Sequence, residues 1–271
     1  NDAPILAEVG ANTTDEDTPL TIVLSGSDAD DDELQFNANS DNLNVGAEVA
    51  NNQLTLTPAD NWNGTVNISV TVSDSVSNAI GDELIDSEVF SLTVTPVNDS
   101  PILSEVGADT TDEDTPLIIT LSASDIDGDD LIFSAESYSE NVSVNVVENQ
   151  LTMTPALNFI GTADISVAVS DGEFTDSEIF EFVVNAVNDA PLLATIADTS
   201  TVEDTPLTIT ISASDVDGDD LSFTAESGGE NVTVSVAGGQ LTLEPAENWN
   251  GSMNISVTVS DGEFTDSEIF E

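Results

Sequence analysis

The 271-residue sequence predicts an all-β protein of three tandem Greek-key β-sandwich domains in a linear rod, the last lacking the end of its final strand. The motif Asn-Asp-x-Pro recurs at 1–4, 98–101 and 188–191, which marks three repeat starts. Within each repeat, apolar residues alternate with polar ones at the period of two that is typical of half-buried strands. Turn residues separate these runs, and none shows helical periodicity. We therefore expect domains at 1–97, 98–187 and 188–271.

The second repeat shows the predicted elements in order. An opening strand near 102–106 leads to the turn 112–116, and the acidic loop 125–131 follows the second strand. The turn 170–172 precedes the last strand. The later strands are predicted from alternating apolar residues, which are Leu117, Ile119 and Leu121, then Leu131 and Phe133, then Val142, Val144 and Val146, then Leu151 and Met153, then Ile165, Val167 and Val169, and finally Phe180, Phe182 and Val184.

The other two repeats depart from this pattern at their ends. The first repeat carries a longer segment at 75–86, which predicts an enlarged hairpin loop. The third repeat stops at Glu271, so its final strand is expected to be short and the chain reads as a fragment of a longer protein. A large ring recurs after a proline, as Trp62, Phe159 and Trp249, and we expect it to plug the core where the chain crosses between strands.

The charge excludes several functions. The chain has 54 Asp and Glu residues and no Lys, Arg or His, for a formal net charge of -54. Nucleic-acid binding depends on Lys and Arg that neutralise phosphates, so nucleic acid is excluded, as is attachment to anionic lipid or insertion into a membrane. No side chain can form a salt bridge with these acids. Charge balance must therefore come from solvent cations or bound metal.

The acidic loop has the composition of a calcium site. Asp125, Asp127 and Asp129 alternate around a glycine, and the pattern returns from Asp215 and, more loosely, from Asp28. Two carboxylates 4 Å apart repel by about 4 kcal/mol at an effective dielectric near 20. Oxygen ligands in a flexible turn suit Ca²⁺. A solvated Asp/Gly turn is the alternative interpretation of the same residues.

Catalysis is not expected. Serine is abundant, but His, Lys and Cys are absent, so the usual means of activating a nucleophile are missing. Paired carboxylates can cleave glycosides, yet every acidic cluster recurs at the same place in each repeat, and active sites seldom occur in tandem triplicate.

The motifs together resemble a known family. Asn-Asp-x-Pro linkers, Glu-Asp-Thr-Pro in the first turn, Asp-x-Asp-Gly-Asp-x-Leu, Asn-Trp-x-Gly and Val-Ser-Asp-Gly occur in one fixed order. This order is similar to that of the cadherin-like tandem repeats of large bacterial surface and secreted proteins, including adhesins. The resemblance implies Ig-like or cadherin-like sandwiches with an extracellular or cell-surface location.

The resemblance also implies calcium between successive repeats. The residues implied for the first junction are Glu16, Asn98, Asp99, Asp125, Asp127 and Asp171, and those for the second are Glu113, Asn188, Asp189, Asp215, Asp217 and Asp261. Asp2, Asp28, Asp30 and Asp74 would serve a junction with a preceding repeat. For the Glu and the Asn-Asp positions, the alternative interpretation is that these residues only stabilise turns. The Asp-Arg-Glu segment of animal cadherins is absent, and the linker lacks the leading aspartate, which leaves fewer ligands.

Three functions are consistent with these residues. The first is a calcium-rigidified extender segment of a giant bacterial adhesin, whose partners are neighbouring repeats of the same chain. The second is a building block of an extracellular fibre assembled between copies. The third is an adhesive module for carbohydrate or a host cell, which would need an exposed aromatic patch. Tyr138 and the segment 75–86 are the candidates, unless such a ligand binds through domains outside this sequence.

Overall fold

The computed structural model describes residues 2–74 and 84–271, in which every regular element is a β-strand. This confirms the all-β class. Contacts divide the chain into two compact units. The first consists of Asn1–Ser104, Ser122–Ile132 and Val169–Asp176, and the second of Glu105–Leu121, Phe133–Ala168 and Ser177–Glu271. The division into three domains at the repeat boundaries stays a prediction.

Repeat 1, residues 1–97, contains two main sheets and a short strand pair. The order of the larger sheet is β2-β9-β8-β5, that of the smaller is β3-β7-β6, and β1 pairs with β4. These strands are β1 Ile5–Leu6, β2 Asn12–Asp15, β3 Leu20–Val23, β4 Gly26–Ser27, β5 Leu34–Ser40, β6 Val45–Ala50, β7 Gln53–Pro58, β8 Gly64–Asp74 and β9 Ile85–Thr95.

Repeat 2, residues 98–187, repeats this arrangement. The sheets have the orders β11-β18-β17-β14 and β12-β16-β15, and β10 pairs with β13. The strands are β10 Ile102–Leu103, β11 Asp109–Asp112, β12 Leu117–Thr120, β13 Ala123–Ser124, β14 Ile132–Ser137, β15 Val142–Val147, β16 Gln150–Pro155, β17 Gly161–Ser170 and β18 Thr175–Asn185.

Repeat 3, residues 188–271, has one strand fewer among the described elements. Its sheets are β22-β25-β26 and β20-β24-β23, with β19 paired to β21. The last strand ends at Phe270, and the N–H of Thr199 donates to the carbonyl of Glu271. The strands are β19 Leu192–Leu193, β20 Leu207–Thr210, β21 Ala213–Ser214, β22 Ser222–Ser227, β23 Val232–Ala237, β24 Gln240–Pro245, β25 Ile255–Ser260 and β26 Thr265–Phe270.

The opening strand differs from the prediction because it is split in two. In repeat 1, β1 pairs antiparallel with β4, whereas β2 pairs parallel with β9, so the chain changes sheets between them. Gly10 lies in this crossing with φ +69°, and Gly107 occupies the same place in repeat 2 with φ +71°. Glycine adopts this left-handed conformation without the steric cost that a side chain adds.

Repeats 1 and 3 each have a hydrophobic core formed by residues of both main sheets. In repeat 1, Leu54 and Leu56 of β7 are fully buried against Ile68 and Val70 of β8, and their alternation with polar residues matches the predicted period. Trp62 packs at the edge of this cluster, and Trp249 does so in repeat 3. The recurring ring therefore covers the core at the predicted turn.

The enlarged loop predicted at 75–86 falls mostly outside the described residues, and β9 has begun by Ile85. Among the described residues, no helix has the length and hydropathy needed to cross a membrane.

Candidate metal centre

The acidic loop of repeat 2 gives the two oxygens of Asp125 different environments. Oδ1 accepts hydrogen bonds from the backbone N–H groups of Asp127, Gly128 and Asp129, at 2.9, 3.1 and 3.4 Å. Oδ2 is shielded from solvent and accepts no hydrogen bond. One oxygen therefore folds the loop, while the other is buried without a hydrogen-bond donor.

The same arrangement occurs in the other two repeats. In repeat 3, Oδ1 of Asp215 accepts from three backbone N–H groups, and its Oδ2 is buried without a donor. Gly218 has φ +81°, close to the +80° of Gly128. In repeat 1 the left-handed residue is Asp31, with φ +61°, and Oδ2 of Asp28 again lacks a donor.

The linker before repeat 2 is held against two loops. The N–H of Asp99 donates to Oδ2 of Asp127 at 2.8 Å, and Nδ2 of Asn98 donates to Oδ2 of Asp171 at 2.9 Å. The chain thus brings together the linker, the loop between β13 and β14 and the turn between β17 and β18. These three segments carry five of the six residues that the resemblance implies for the first junction.

Glu16 adds a buried carboxylate from repeat 1. Its side chain is only 3% exposed, and Oε1 accepts the N–H of Val97 at 2.7 Å. Carboxylate oxygens of Glu16, Asp99 and Asp127 all lie within 4.8 Å of one another. These residues, together with Asn98, Asp125 and Asp171, belong to the first compact unit. Six residues from four segments therefore converge on one place.

The second junction has the same contacts within the second unit. The N–H of Asp189 donates to Oδ2 of Asp217 at 2.7 Å, and Nδ2 of Asn188 donates to Oδ2 of Asp261 at 3.0 Å. Glu113, 6% exposed, accepts the N–H of Val187 through Oε1 at 2.8 Å.

The electrostatics disfavour charge on the linker acids. Burial raises the pKa of Asp99, and repulsion from Asp127, Asp17 and Glu16 raises it further. At the second junction, burial and then repulsion from Asp217 and Glu113 raise the pKa of Asp189. A nearby cation reverses this effect, because an opposite charge favours the ionised carboxylate.

Asp171 and Asp261 have the opposite shift. Burial acts to raise the pKa of Asp171, but hydrogen bonds from the N–H groups of Glu173 and Phe174 and from Asn98 outweigh it and lower the value. Asp261 is lowered in the same way by Glu263, Phe264 and Asn188. These two carboxylates are therefore held ionised at neutral pH.

A divalent cation with oxygen ligands fits the donor set. Burying an ionised oxygen without a partner is costly, yet one Oδ2 atom is buried in this way in each of five aspartates. The side chains implied as metal ligands at the two junctions offer only carboxylate and amide oxygens, which are the ligand atoms that Ca²⁺ prefers. The five orphaned oxygens belong to Asp28, Asp99, Asp125, Asp189 and Asp215.

The remaining predicted residues lie at the entry end of repeat 1. The N–H of Asp2 donates to Oδ2 of Asp30 at 2.7 Å, as in the two linkers. Oxygens of Asp28, Asp30 and Asp32 approach within 4.8 Å of one another. Asp74 is 1% exposed and accepts the N–H of Leu84. These residues reproduce one half of a junction.

Sequence reasoning missed some acids near the junctions. Asp17 and Asp114 follow the predicted glutamates, and each has a left-handed φ of +58°. Each accepts a backbone N–H from the Asn-x-x-Gly turn, that of Asn61 at 2.9 Å and that of Asn158 at 2.8 Å. The signal was present, because Glu-Asp-Thr-Pro places two acids side by side. Asp129 and Asp219 lie in the acidic loops that the sequence singled out, but they were not among the residues implied as ligands. Each approaches the two preceding acids of its loop within 4.8 Å.

Comparisons with known proteins agree with this fold. A family model described as a bacterial Ig domain matches residues 1–81 and 188–269, and one described as a cadherin-like domain matches residues 97–185. The crystal structure of mouse cadherin-23 EC22-24 is 15% identical, with a TM-score of 0.56, over 100% of this chain and 98% of that chain. This similarity supports a tandem cadherin-type fold.

Two other solved structures are more distant. Protocadherin gammaB7 EC3-6 is 15% identical with a TM-score of 0.48, over 99% of this chain and 76% of that chain. Drosophila N-cadherin EC1-4 is 14% identical with a TM-score of 0.42, over 100% of this chain and 74% of that chain. No curated protein sequence matches the chain.

Proposed function

Because the chain belongs to the bacterial Ig domain family, with a cadherin-like domain between its two matches, we propose that it is a calcium-rigidified extender segment of a bacterial adhesin. Tandem domains of these families form extracellular adhesion or extender modules, and they are structural or adhesive rather than enzymatic. The resemblance to cadherin-like repeats is thereby confirmed.

The observation that carries the proposal is the group formed by Glu16, Asp99 and Asp127. Its members come from the first turn of repeat 1, the linker and the acidic loop of repeat 2, and no basic residue exists in the chain to neutralise them. A cation bound to all three carboxylates would restrain the linker relative to both repeats. The proposed ligands are the sixteen residues predicted from the sequence.

Cation binding couples to stiffness through linkage. An ion that contacts both sides of a junction stabilises only the arrangement in which the ligands converge. At a free Ca²⁺ concentration of 100 times the Kd, one site stabilises this arrangement by about 2.7 kcal/mol. Without the ion, repulsion among the same acids opposes it. The extender is therefore expected to stiffen in extracellular calcium.

Titration calorimetry tests the binding. Because 54 acidic groups attract cations diffusely, the titration with Ca²⁺ should use 0.15 M KCl, where the Debye length is about 8 Å. Asp127→Asn should weaken one class of site by at least about tenfold, because loss of a group that merely orients a metal ligand already costs about 10- to 100-fold. Asp130→Asn removes the same charge from an exposed neighbour in the loop and should leave the Kd unchanged. Equal behaviour of the two variants would contradict the proposed site.

Small-angle scattering tests the stiffness. With Ca²⁺ the maximum dimension should be large and constant, and with a chelator it should shorten as the junctions bend. Identical curves in the two conditions would argue against a calcium-dependent extender. Particles that lengthen with protein concentration would instead favour the fibre hypothesis.

A further inference from the structure

The two junctions differ at one side chain that faces the buried glutamate. At the first junction, Nδ2 of Asn63 donates to Oε2 of Glu16 at 3.4 Å, while Oε1 accepts the N–H of Val97. Both carboxylate oxygens of Glu16 therefore accept hydrogen bonds from the protein. At the second junction, the residue at the position of Asn63 is Ile160, which has no donor and is 54% exposed.

The backbone around this position is the same at both junctions. The turn begins at Asn61 in repeat 1 and at Asn158 in repeat 2, with φ values of +54° and +55°. Both N–H groups donate to the aspartate that follows the junction glutamate, at 2.9 and 2.8 Å. The two turns therefore present the next-but-one residue from the same place, and the difference lies in the side chain.

The acidic side chains are also arranged differently at the two junctions. Among the described residues, Glu16, Asp99 and Asp127 form the only acidic group within 4.8 Å that combines two repeats. Glu113, Asp189 and Asp217 are the corresponding residues at the second junction. A glutamate side chain has three rotatable bonds before its carboxylate. A second hydrogen bond to Glu16 restricts these rotations before a cation binds, so the binding step loses less conformational entropy.

We propose that Asn63 is a positioning residue that gives the first junction a higher affinity for divalent cations than the second, where Ile160 replaces it. This inference rests on the proposed function, because it assumes that both junctions bind the ion. A partner that orients a metal-binding carboxylate contributes about 10- to 100-fold in affinity. The two junctions then stiffen at different calcium concentrations.

The experiment exchanges the two side chains in the full chain. Calcium titrations of the unaltered protein should resolve a tight and a weak class, assigned to the junctions with Asp127→Asn and Asp217→Asn. Ile160→Asn should tighten the weak class by about tenfold. Asn63→Ile should weaken the tight class by a similar factor. Asn250→Ile, at the same turn position of repeat 3, is the matched control and should change neither class.

The gain of affinity in Ile160→Asn is the decisive result, because a residue with a merely structural role would not raise the affinity for Ca²⁺. The side chain of Ile160 is exposed, so its replacement should not disturb the fold. Unchanged Kd values in both exchange variants would overturn the inference while leaving the proposed function intact. A wild-type protein that binds no Ca²⁺ would overturn both. A single class whose Kd is the same at both junctions would overturn the inference alone.

A second readout needs no metal. In a chelator, the side-chain amide resonances of Asn63 should move when Glu16 is replaced in Glu16→Ala, because the hydrogen-bond acceptor is lost. The amide resonances of Asn250 should stay where they are. Resonances of Asn63 that do not respond would contradict the contact on which the inference depends.

Discussion

The backbone N–H of Asp99 lies 2.8 Å from Oδ2 of Asp127, which joins a linker residue to the acidic loop of the repeat that follows. The same bond joins Asp189 to Asp217 at 2.7 Å and Asp2 to Asp30 at 2.7 Å. In all three cases the partners are 28 residues apart. One backbone hydrogen bond therefore fixes the linker against the acidic loop in each of the three repeats.

Asp99→Asn is expected to have opposite effects with and without calcium. In a chelator at pH 7 the variant should melt at a higher temperature, because burial and the neighbouring acids raise the pKa of Asp99. A carboxyl with a raised pKa stabilises the fold below its unfolded value of 3.8, and this contribution is lost as the pH rises through the folded value. Its charge is therefore unfavourable at neutral pH.

With saturating Ca²⁺ the order should reverse, since the variant has lost a ligand. Scanning calorimetry in both conditions measures the two melting temperatures. Asp130→Asn serves as the control for the removal of one negative charge. A shift of the same sign in chelator and in calcium would count against Asp99 as a ligand.

Asp171→Ala should lower the melting temperature of the metal-free protein at pH 7. The hydrogen bonds from Glu173, Phe174 and Asn98 lower the pKa of Asp171, so its carboxylate stabilises the fold above the unfolded value of 3.8. This contribution disappears as the pH falls through the lowered value. The difference from wild type should therefore shrink as the pH falls below about 4.

Thermal melts across this pH range test the sign. Asp261→Ala provides an independent copy of the experiment, because Asp261 accepts the corresponding bonds from Glu263, Phe264 and Asn188. A pH-independent difference in either variant would show that the hydrogen bonds to the ionised carboxylate are not the cause.

Gly64→Ala should destabilise repeat 1. A Cβ atom at this position would lie 3.0 Å from Cζ2 of Trp62, and φ is +147°, which a side chain rarely adopts. The expected loss exceeds about 1 kcal/mol in urea unfolding. Gly46→Ala is the control, because its φ is not positive and the nearest atom is 3.7 Å away. A neutral Gly64→Ala would show that Trp62 is not tightly packed against the turn.

Asp266→Ala should weaken the attachment of the opening strand in repeat 3. Oδ2 of Asp266 accepts the N–H of Leu193 at 2.8 Å, and Leu193 is buried. A buried donor left without an acceptor costs about 1–3 kcal/mol. Urea unfolding and amide exchange at Leu193 measure the effect. Glu263→Ala removes an exposed acid just before β26, the strand that carries Asp266, and should cost much less stability. Equal losses of stability in the two variants would refute the attachment of Leu193 by Asp266.

Sequence patterns identified the strands because strand formation leaves a local signature. The alternation around Leu54, Val70 and Val167 places apolar side chains on one face, and all three are fully buried. The linkers and the acidic loops could also be recognised, because Asn-Asp-x-Pro and Asp-x-Asp-Gly-Asp are short local motifs. The split of the opening strand at Gly10 was missed, since it depends on which sheet each half pairs with.

The sequence by itself determined the all-β class, the repeated order of elements and the need for cations, because period, turn residues and charge are properties of neighbouring residues. Only the tertiary structure decided which oxygen of Asp125 folds the loop and which is left without a donor. It also decided that Asn63 reaches Glu16 across 47 residues. The hydrogen bonds to Asp125 are local, but the burial of its second oxygen is not, and the contact of Asn63 with Glu16 joins two turns that are distant in sequence. No local pattern encodes how such distant segments pack.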